Sequence, residues 1–182
     1  MAVTLTRIDP TGEDREELVA FMTDNEFPFH VGRRRTREQI EDAIAAGAYR
    51  DADHDSYWID HDDHGRIGFL RFEDLSDDAP LFDLRLAQRY RGQGLGIEVV
   101  RAACDFVFGM LPEVHRFEGQ TREDNYAMRR VMQRCGCVKE AHYREGWPVG
   151  DGRPLASVAY GLLRRDWESG ETTPVAWDDF PA

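Results

Sequence analysis

Arg91, Gly92, Gln93, Gly94, Leu95 and Gly96 stand between a segment of strand periodicity and a segment of helix periodicity. Glycines at alternate positions let the main chain turn tightly, gather its N–H groups and approach a ligand with no Cβ in the way. The following helix adds unpaired N–H groups and the positive end of its dipole, so the turn suits a phosphate or a pyrophosphate. Two familiar phosphate loops do not fit. A nucleoside-triphosphate loop ends in Gly-Lys-Ser or Gly-Lys-Thr, and the chain contains neither triplet. A dinucleotide fingerprint needs a third glycine where Ile97 stands and an early βαβ unit, whereas this turn lies in mid-chain. An ordinary glycine-rich connection that holds no ligand is the remaining alternative.

The flanking elements must position that turn. Upstream, Leu81 to Leu86 alternates, with Phe82, Leu84 and Leu86 on one face and Asp83 and Arg85 on the other. Downstream, Val99, Val100, Ala103, Phe106, Val107, Met110 and Leu111 recur at helical spacing until Pro112 stops the helix. Elsewhere Val3 to Ile8 suits a first strand, and Asp14 to Met22 a helix with Leu18, Val19, Phe21 and Met22 inward. Thr36 and Gln39 have capping-box spacing for a second helix, which runs to about Ala46 and is closed by Gly47. Ser56 to His61 and Ile67 to Asp74 form strands around a hairpin turn, Asp62 to Arg66. A short strand Arg116 to Thr121, a helix Asn125 to Arg134, and two long strands, Val138 to Pro148 and Leu155 to Arg164, complete the set. The expected domain spans residues 1–167, and 168–182 is a surface extension with Trp177 and Phe180 as anchors.

Composition narrows the function. The chain has 182 residues, of which 41% are hydrophobic, enough for one domain with a real core. Its net charge of −12 argues against nucleic acid, where affinity comes largely from neutralising phosphates. An anionic ligand must therefore be held by local positive features: Arg91, the helix start, and Arg122, Arg129, Arg130 and Arg134. No apolar run is long enough for a membrane span and the start is not a signal peptide, so a cytoplasmic location is expected. The three cysteines are expected to pack, not to form a disulfide framework. His61 and His64 beside Asp62 and Asp63 have the composition of a metal cluster, but in a hairpin turn they are expected to be solvated, and no metal is expected.

Taken together, these residues resemble the GNAT N-acetyltransferase superfamily, in particular its branch of ribosomal-protein N-terminal acetyltransferases. Arg91 to Gly96 matches the family's loop Gln/Arg-x-x-Gly-x-Gly/Ala at every defined position. Asn125 to Cys137 follows the pattern Asn-x-Ala-Ser-x-x-x-x-Glu-Lys-x-Gly-Phe at Asn125, Ala127 and Gly136, and departs at Met128, Gln133 and Cys137. Tyr160 to Trp167 resembles the family's closing strand. The resemblance covers roughly residues 3 to 167. It implies an α/β (α+β) fold: a mixed, mostly antiparallel sheet of about seven strands with splayed central strands, and about four helices. It also implies acetyl-CoA as cosubstrate, with the main chain of Leu84 and Leu86 on pantetheine. Gly92, Gln93, Gly94, Leu95 and Gly96, together with Arg91, take the pyrophosphate, and Asn125 bonds near the pantetheine arm.

The implied reaction is direct attack of a neutral amine on the thioester. It requires a proton acceptor, an N–H donor for the developing oxyanion and a stabilised leaving thiolate. Glu118 is the expected base by alignment and Asp83 the second candidate; the alternative for Glu118 is an ion pair with a neighbouring arginine. The oxyanion donor is expected on the fourth strand near Leu86. The general acid stays open, because Met132 stands where many members of the family have tyrosine. Phe29, His30, Tyr143 and Trp147 are expected at the acceptor pocket, although Phe27-Pro28-Phe29 also suits a buried anchor, and Arg33 to Arg35 a solvated face. The acceptor is a small-molecule amine or a protein N-terminus, with a homodimer as a possible assembly. Two rivals are a non-catalytic acyl-CoA-binding module, supported by the missing tyrosine, and a nucleotide enzyme of another fold.

Overall fold

A seven-stranded sheet in the order β1-β2-β3-β4-β5-β7-β6 organises the protein. Its strands are β1 (Val3–Arg7), β2 (Asp55–His61), β3 (Gly65–Glu73), β4 (Leu81–Leu86), β5 (Arg116–Arg122), β6 (Val138–Trp147) and β7 (Leu155–Leu163). Every neighbouring pair is antiparallel except β4 and β5. The computed structural model describes residues 2–150 and 152–176. Asp151, Trp177 and Phe180 lie outside the described residues, and so does the anchoring expected of the two aromatics.

Helices cover both faces of the sheet. On one side α1 (Arg15–Asp24) and α2 (Arg37–Ala45) enclose a cluster that includes Leu18, Ile40, Tyr49, Trp58 and Phe69. On the other side α3 (Gly96–Met110) closes a larger core through Val99, Val100, Ala103 and Val107. With both faces covered, β2 and β3 bury successive residues (Tyr57, Trp58 and Ile59; Phe69 and Leu70), so period-two alternation is lost in them.

Local chemistry explains several element ends. The Thr36 hydroxyl accepts from Gln39 N–H at 3.2 Å and the Gln39 side chain accepts from Thr36 N–H at 3.0 Å, a reciprocal cap that starts α2. The α3 stripe departs from expectation at its end. Met110 is 65% exposed, while Cys104 and Phe108 are buried, because the stripe drifts around the helix over four turns. His61 also departs from the solvated state expected of the hairpin: it is buried, and its Nδ1 accepts from Asp63 N–H at 3.0 Å. Among the described residues no group of side chains could hold a metal ion.

Beyond α4 (Tyr126–Arg134), the expected closing strand stops at Leu163 and turns into a fifth helix, α5 (Arg164–Ser169). Arg164, the first residue of α5, donates to three carbonyls at once: Val114 at 2.7 Å, Phe108 at 2.8 Å and Leu111 at 2.6 Å. Trp167 packs on Phe108 at 5.3 Å and donates to Asp105 at 2.7 Å. The boundary expected after residue 167 thus falls inside α5, and Asp166 reaches past it to Thr173 N–H at 3.0 Å.

Candidate active site

Strands β4 and β5 share one residue pair, Leu81 with Glu118, supported by a 3.0 Å bond from Glu118 N–H to the Pro80 carbonyl. Beyond that pair they part. Pro80 points its carbonyl at β5, so the period of two directs the main-chain groups of Leu84 and Leu86 into the gap. No strand among the described residues meets them there. One is satisfied locally: Arg91 Nε donates to the Leu86 carbonyl at 2.8 Å.

The chain leaves β4 through a 3-10 turn, Gln88–Tyr90, and enters the glycine loop. Gly92 and Gly94 have φ of +76° and +88°, a conformation L side chains rarely adopt. A Cβ at either would meet nothing within 4 Å, so backbone angle and not space requires glycine. Gly96 serves differently: a Cβ there would lie 3.2 Å from Val131 Cγ2, so its small size lets α4 approach α3. Among the described residues the amides of Gly92, Gln93, Gly94, Leu95 and Gly96 donate no hydrogen bond. A run of free amides at the start of a helix is an anion receptor. Arg91 does not join it; its guanidinium turns inward over the Phe27 ring at 5.2 Å, and burial lowers its pKa.

A cavity of about 390 Å³ lies at the parted strands. Phe82, Asp83 and Leu84 of β4 border it, as do Gln120 of β5, and Asn125 and Met132 from the α4 region. The loop between α1 and α2 contributes Phe29, His30 and Arg35, and β6 contributes Trp147. Phe27 is the buried anchor of that loop, at 2% exposure, whereas Phe29 stacks under Arg122 at 4.9 Å beside the cavity.

Asp83 is the most constrained charge in the cavity. His30 Nε2 lies 3.0 Å from its Oδ1, Arg85 Nη2 donates to Oδ2 at 2.7 Å, and Arg71 stands across the strand pair at 3.8 Å. Burial alone would push the carboxyl up; the Arg85 charge and the His30 hydrogen bond outweigh it and hold Asp83 well below the usual carboxylate range. His30 Nδ1 is buried and, among the described residues, has no hydrogen-bond partner.

The expected site residues divide accordingly. Asp83, Leu84, Asn125, Phe29, His30 and Trp147 come together around one cavity. Asn125 is also a cap: its Oδ1 accepts from Met128 N–H at 3.3 Å and its Nδ2 donates to Thr121 Oγ1 at 2.9 Å. Glu118 sits at the closed end of the split and outside that lining. It accepts from Arg116 Nε at 2.5 Å, and Arg116 also pairs with Glu140. The bond to Glu140, then that to Glu118, holds the guanidinium firmly protonated. Tyr143 is 52% exposed on edge strand β6, and a register irregularity separates it from Trp147. Met132 is buried against the cavity, and Tyr160, also buried, accepts from Arg129 at 3.2 Å. Arg71 and Arg85 were not anticipated. Alternation put Asp83 and Arg85 on one face, but only the β3–β4 register places Arg71 opposite Asp83.

Residues 3–138 match the family model described as Acetyltransferase (GNAT) domain. No curated protein matches the chain in sequence. Among solved structures, a spermidine N-acetyltransferase SpeG chimera from Vibrio cholerae and hSSAT superposes with a TM-score of 0.78 at 16% identity, covering 92% of this chain and 99% of that one. The Vibrio cholerae spermidine N-acetyltransferase in complex with CoA and spermine gives 0.73 at 16%, covering 92% and 98%. A dodecameric structure of that enzyme in an intermediate state gives 0.73 at 16%, covering 91% and 96%. No helix among the described residues is long and apolar enough to cross a membrane. With the family model matching most of its length, the chain belongs to the GNAT acetyltransferases and is an N-acetyltransferase that draws its acetyl group from acetyl-CoA.

Proposed function

We propose that the protein acetylates the primary amine of a small molecule held under the α1–α2 loop. One observation carries this reading: the unpaired main chain of β4 leads from the cavity, which Leu84 borders, to the strand's end, and the glycine loop with its free amides follows after one 3-10 turn. These features fit acetyl-CoA, with residues 92–96 on the pyrophosphate and the main chain of Leu84 and Leu86 along the pantetheine. When bound, acetyl-CoA supplies the activated acyl group. Asn125, committed to capping α4, shapes the mouth of the gap.

His30 is the proton acceptor in this reading. In this reading Asp83 accepts from Nε2–H, which leaves Nδ1 as the nitrogen that would take the amine's proton. The N–H of Leu86 is available to an oxygen that gains charge. Glu118, paired with Arg116, fixes the junction of β4 and β5. Support for a small acceptor comes from the cavity's size and from structural relatives that are spermidine N-acetyltransferases, one of them bound to CoA and spermine.

The test is release of free thiol from acetyl-CoA across a panel of primary amines, with product identified by mass. Amine-dependent release, abolished in His30→Gln, supports the reading. Buried Met132 in place of a tyrosine, with no tyrosine hydroxyl lining the cavity among the described residues, leaves the thiolate to depart without a tyrosine donor. Tight coenzyme binding with no release on any primary amine would overturn the reading.

A further inference from the structure

We propose that the acceptor is an anionic amine whose carboxylate or phosphate group is held by Arg35. The inference rests on the acetyl-transfer reading and names the substrate class of that same site. Five formal charges besides His30 border the cavity: Arg35, Arg71 and Arg85 against Glu73 and Asp83. Both carboxylates are already matched. Arg71 Nε donates to Glu73 Oε1 at 3.0 Å, and Arg85 Nη2 donates to Asp83 Oδ2 at 2.7 Å. Asp83 carries His30 as well, at 3.0 Å.

Arg35 is the remainder. Its neighbours Arg33 and Arg34 both pair with Glu26 and are exposed, whereas Arg35 is half-buried at the cavity. Among the described residues it makes no salt bridge and no hydrogen bond. It stands with Arg71 and Arg85 around buried Tyr49, where burial raises the hydroxyl pKa and these three guanidiniums oppose the rise. In a chain of net charge −12, such a local excess of positive charge runs against the whole.

The chemistry follows from that remainder. A polyamine would find both carboxylates occupied and an unmatched cation facing it. A carboxylate or phosphate would find a planar two-pronged donor, the geometry in which arginine binds such groups best. The cavity also opens on the β4–β5 gap, so the acceptor is small enough to leave room for the acyl end.

The test uses matched pairs of acceptors with acetyl-CoA: amino acids against their amides, aminoalkyl phosphates against amino alcohols, and spermidine alone. The expected result is a preference of about tenfold or more in kcat/KM for the anionic member, the size of a charge-assisted contact. Whichever anion shows it identifies the group. Arg35→Gln should bring the ratio near one through KM with kcat retained, and Arg35→Lys should keep part of it. Acetyl-CoA affinity by calorimetry should be unchanged in both. Equal or better turnover of neutral amines or spermidine overturns the inference and leaves acetyl transfer standing. Coenzyme binding without turnover of any amine overturns both.

Discussion

His30 Nε2 stands 3.0 Å from Asp83 Oδ1, joining the loop after α1 to the middle strand of the sheet. The contact engages one imidazole nitrogen and leaves the other, among the described residues, without a partner, and the proposed mechanism gives that nitrogen the amine's proton. His30→Gln should lower kcat by about a hundredfold or more while acetyl-CoA affinity holds. Glu118→Gln should cost about threefold or less, within the range of a change remote from the chemistry. Steady-state kinetics with calorimetry on both variants checks the contrast, and the reverse order would return the base to Glu118.

Asp83 should also govern acid stability. Its folded-state pKa lies below the unfolded carboxylate value of about 3.9, so its contribution is complete above about pH 4 and is lost as pH falls below that. Asp83→Asn leaves Arg85 without its partner and should cost about 3 kcal/mol at neutral pH. Urea unfolding from neutral to acid pH should show the difference between variant and parent shrinking on the acid side.

Gly94→Ala tests the loop. At φ +88° an alanine is strained by about 1–2 kcal/mol and relaxes by turning its peptide groups away. Because the new Cβ meets no neighbour, the fold should tolerate it. The Kd for acetyl-CoA should rise by about tenfold or more, read by calorimetry, while Tm falls by no more than about 2–8 °C.

Arg164→Ala removes three bonds to the carbonyls of Phe108, Leu111 and Val114. The expected loss is about 3 kcal/mol, or roughly 6–12 °C in Tm for a domain of this size. Arg164→Lys, which cannot span all three acceptors, should recover little of it in a thermal melt.

What the sequence carried was local. The glycine loop between β4 and α3, the Thr36–Gln39 cap and the hairpin at Asp62 to Arg66 each depend on residues a few positions apart, and each is present. The cavity's charges depend on pairing at a distance. Arg71 opposite Asp83 follows from strand register, and His30 on Asp83 follows from how a loop folds over the sheet. Glu118 was expected as the base by alignment, with an ion pair to a neighbouring arginine as the alternative, and the pair with Arg116 is present; Tyr143, expected at the pocket from the resemblance, lies exposed on an edge strand. The fifth helix was hidden because Arg164 reads as the end of an apolar strand until its three acceptors are in view.

The last long strand, β7, is threaded between β5 and β6 and pairs with β5 from Arg116–Leu163 to Arg122–Ser157. Synthesis on the ribosome therefore cannot complete the sheet in the order it is made. Until residues 155–163 emerge, one edge of β5 stays open and the platform beside the split lacks its backing. The cleft is framed only once residues 155–163, later in the chain than the strands that line it, have left the ribosome.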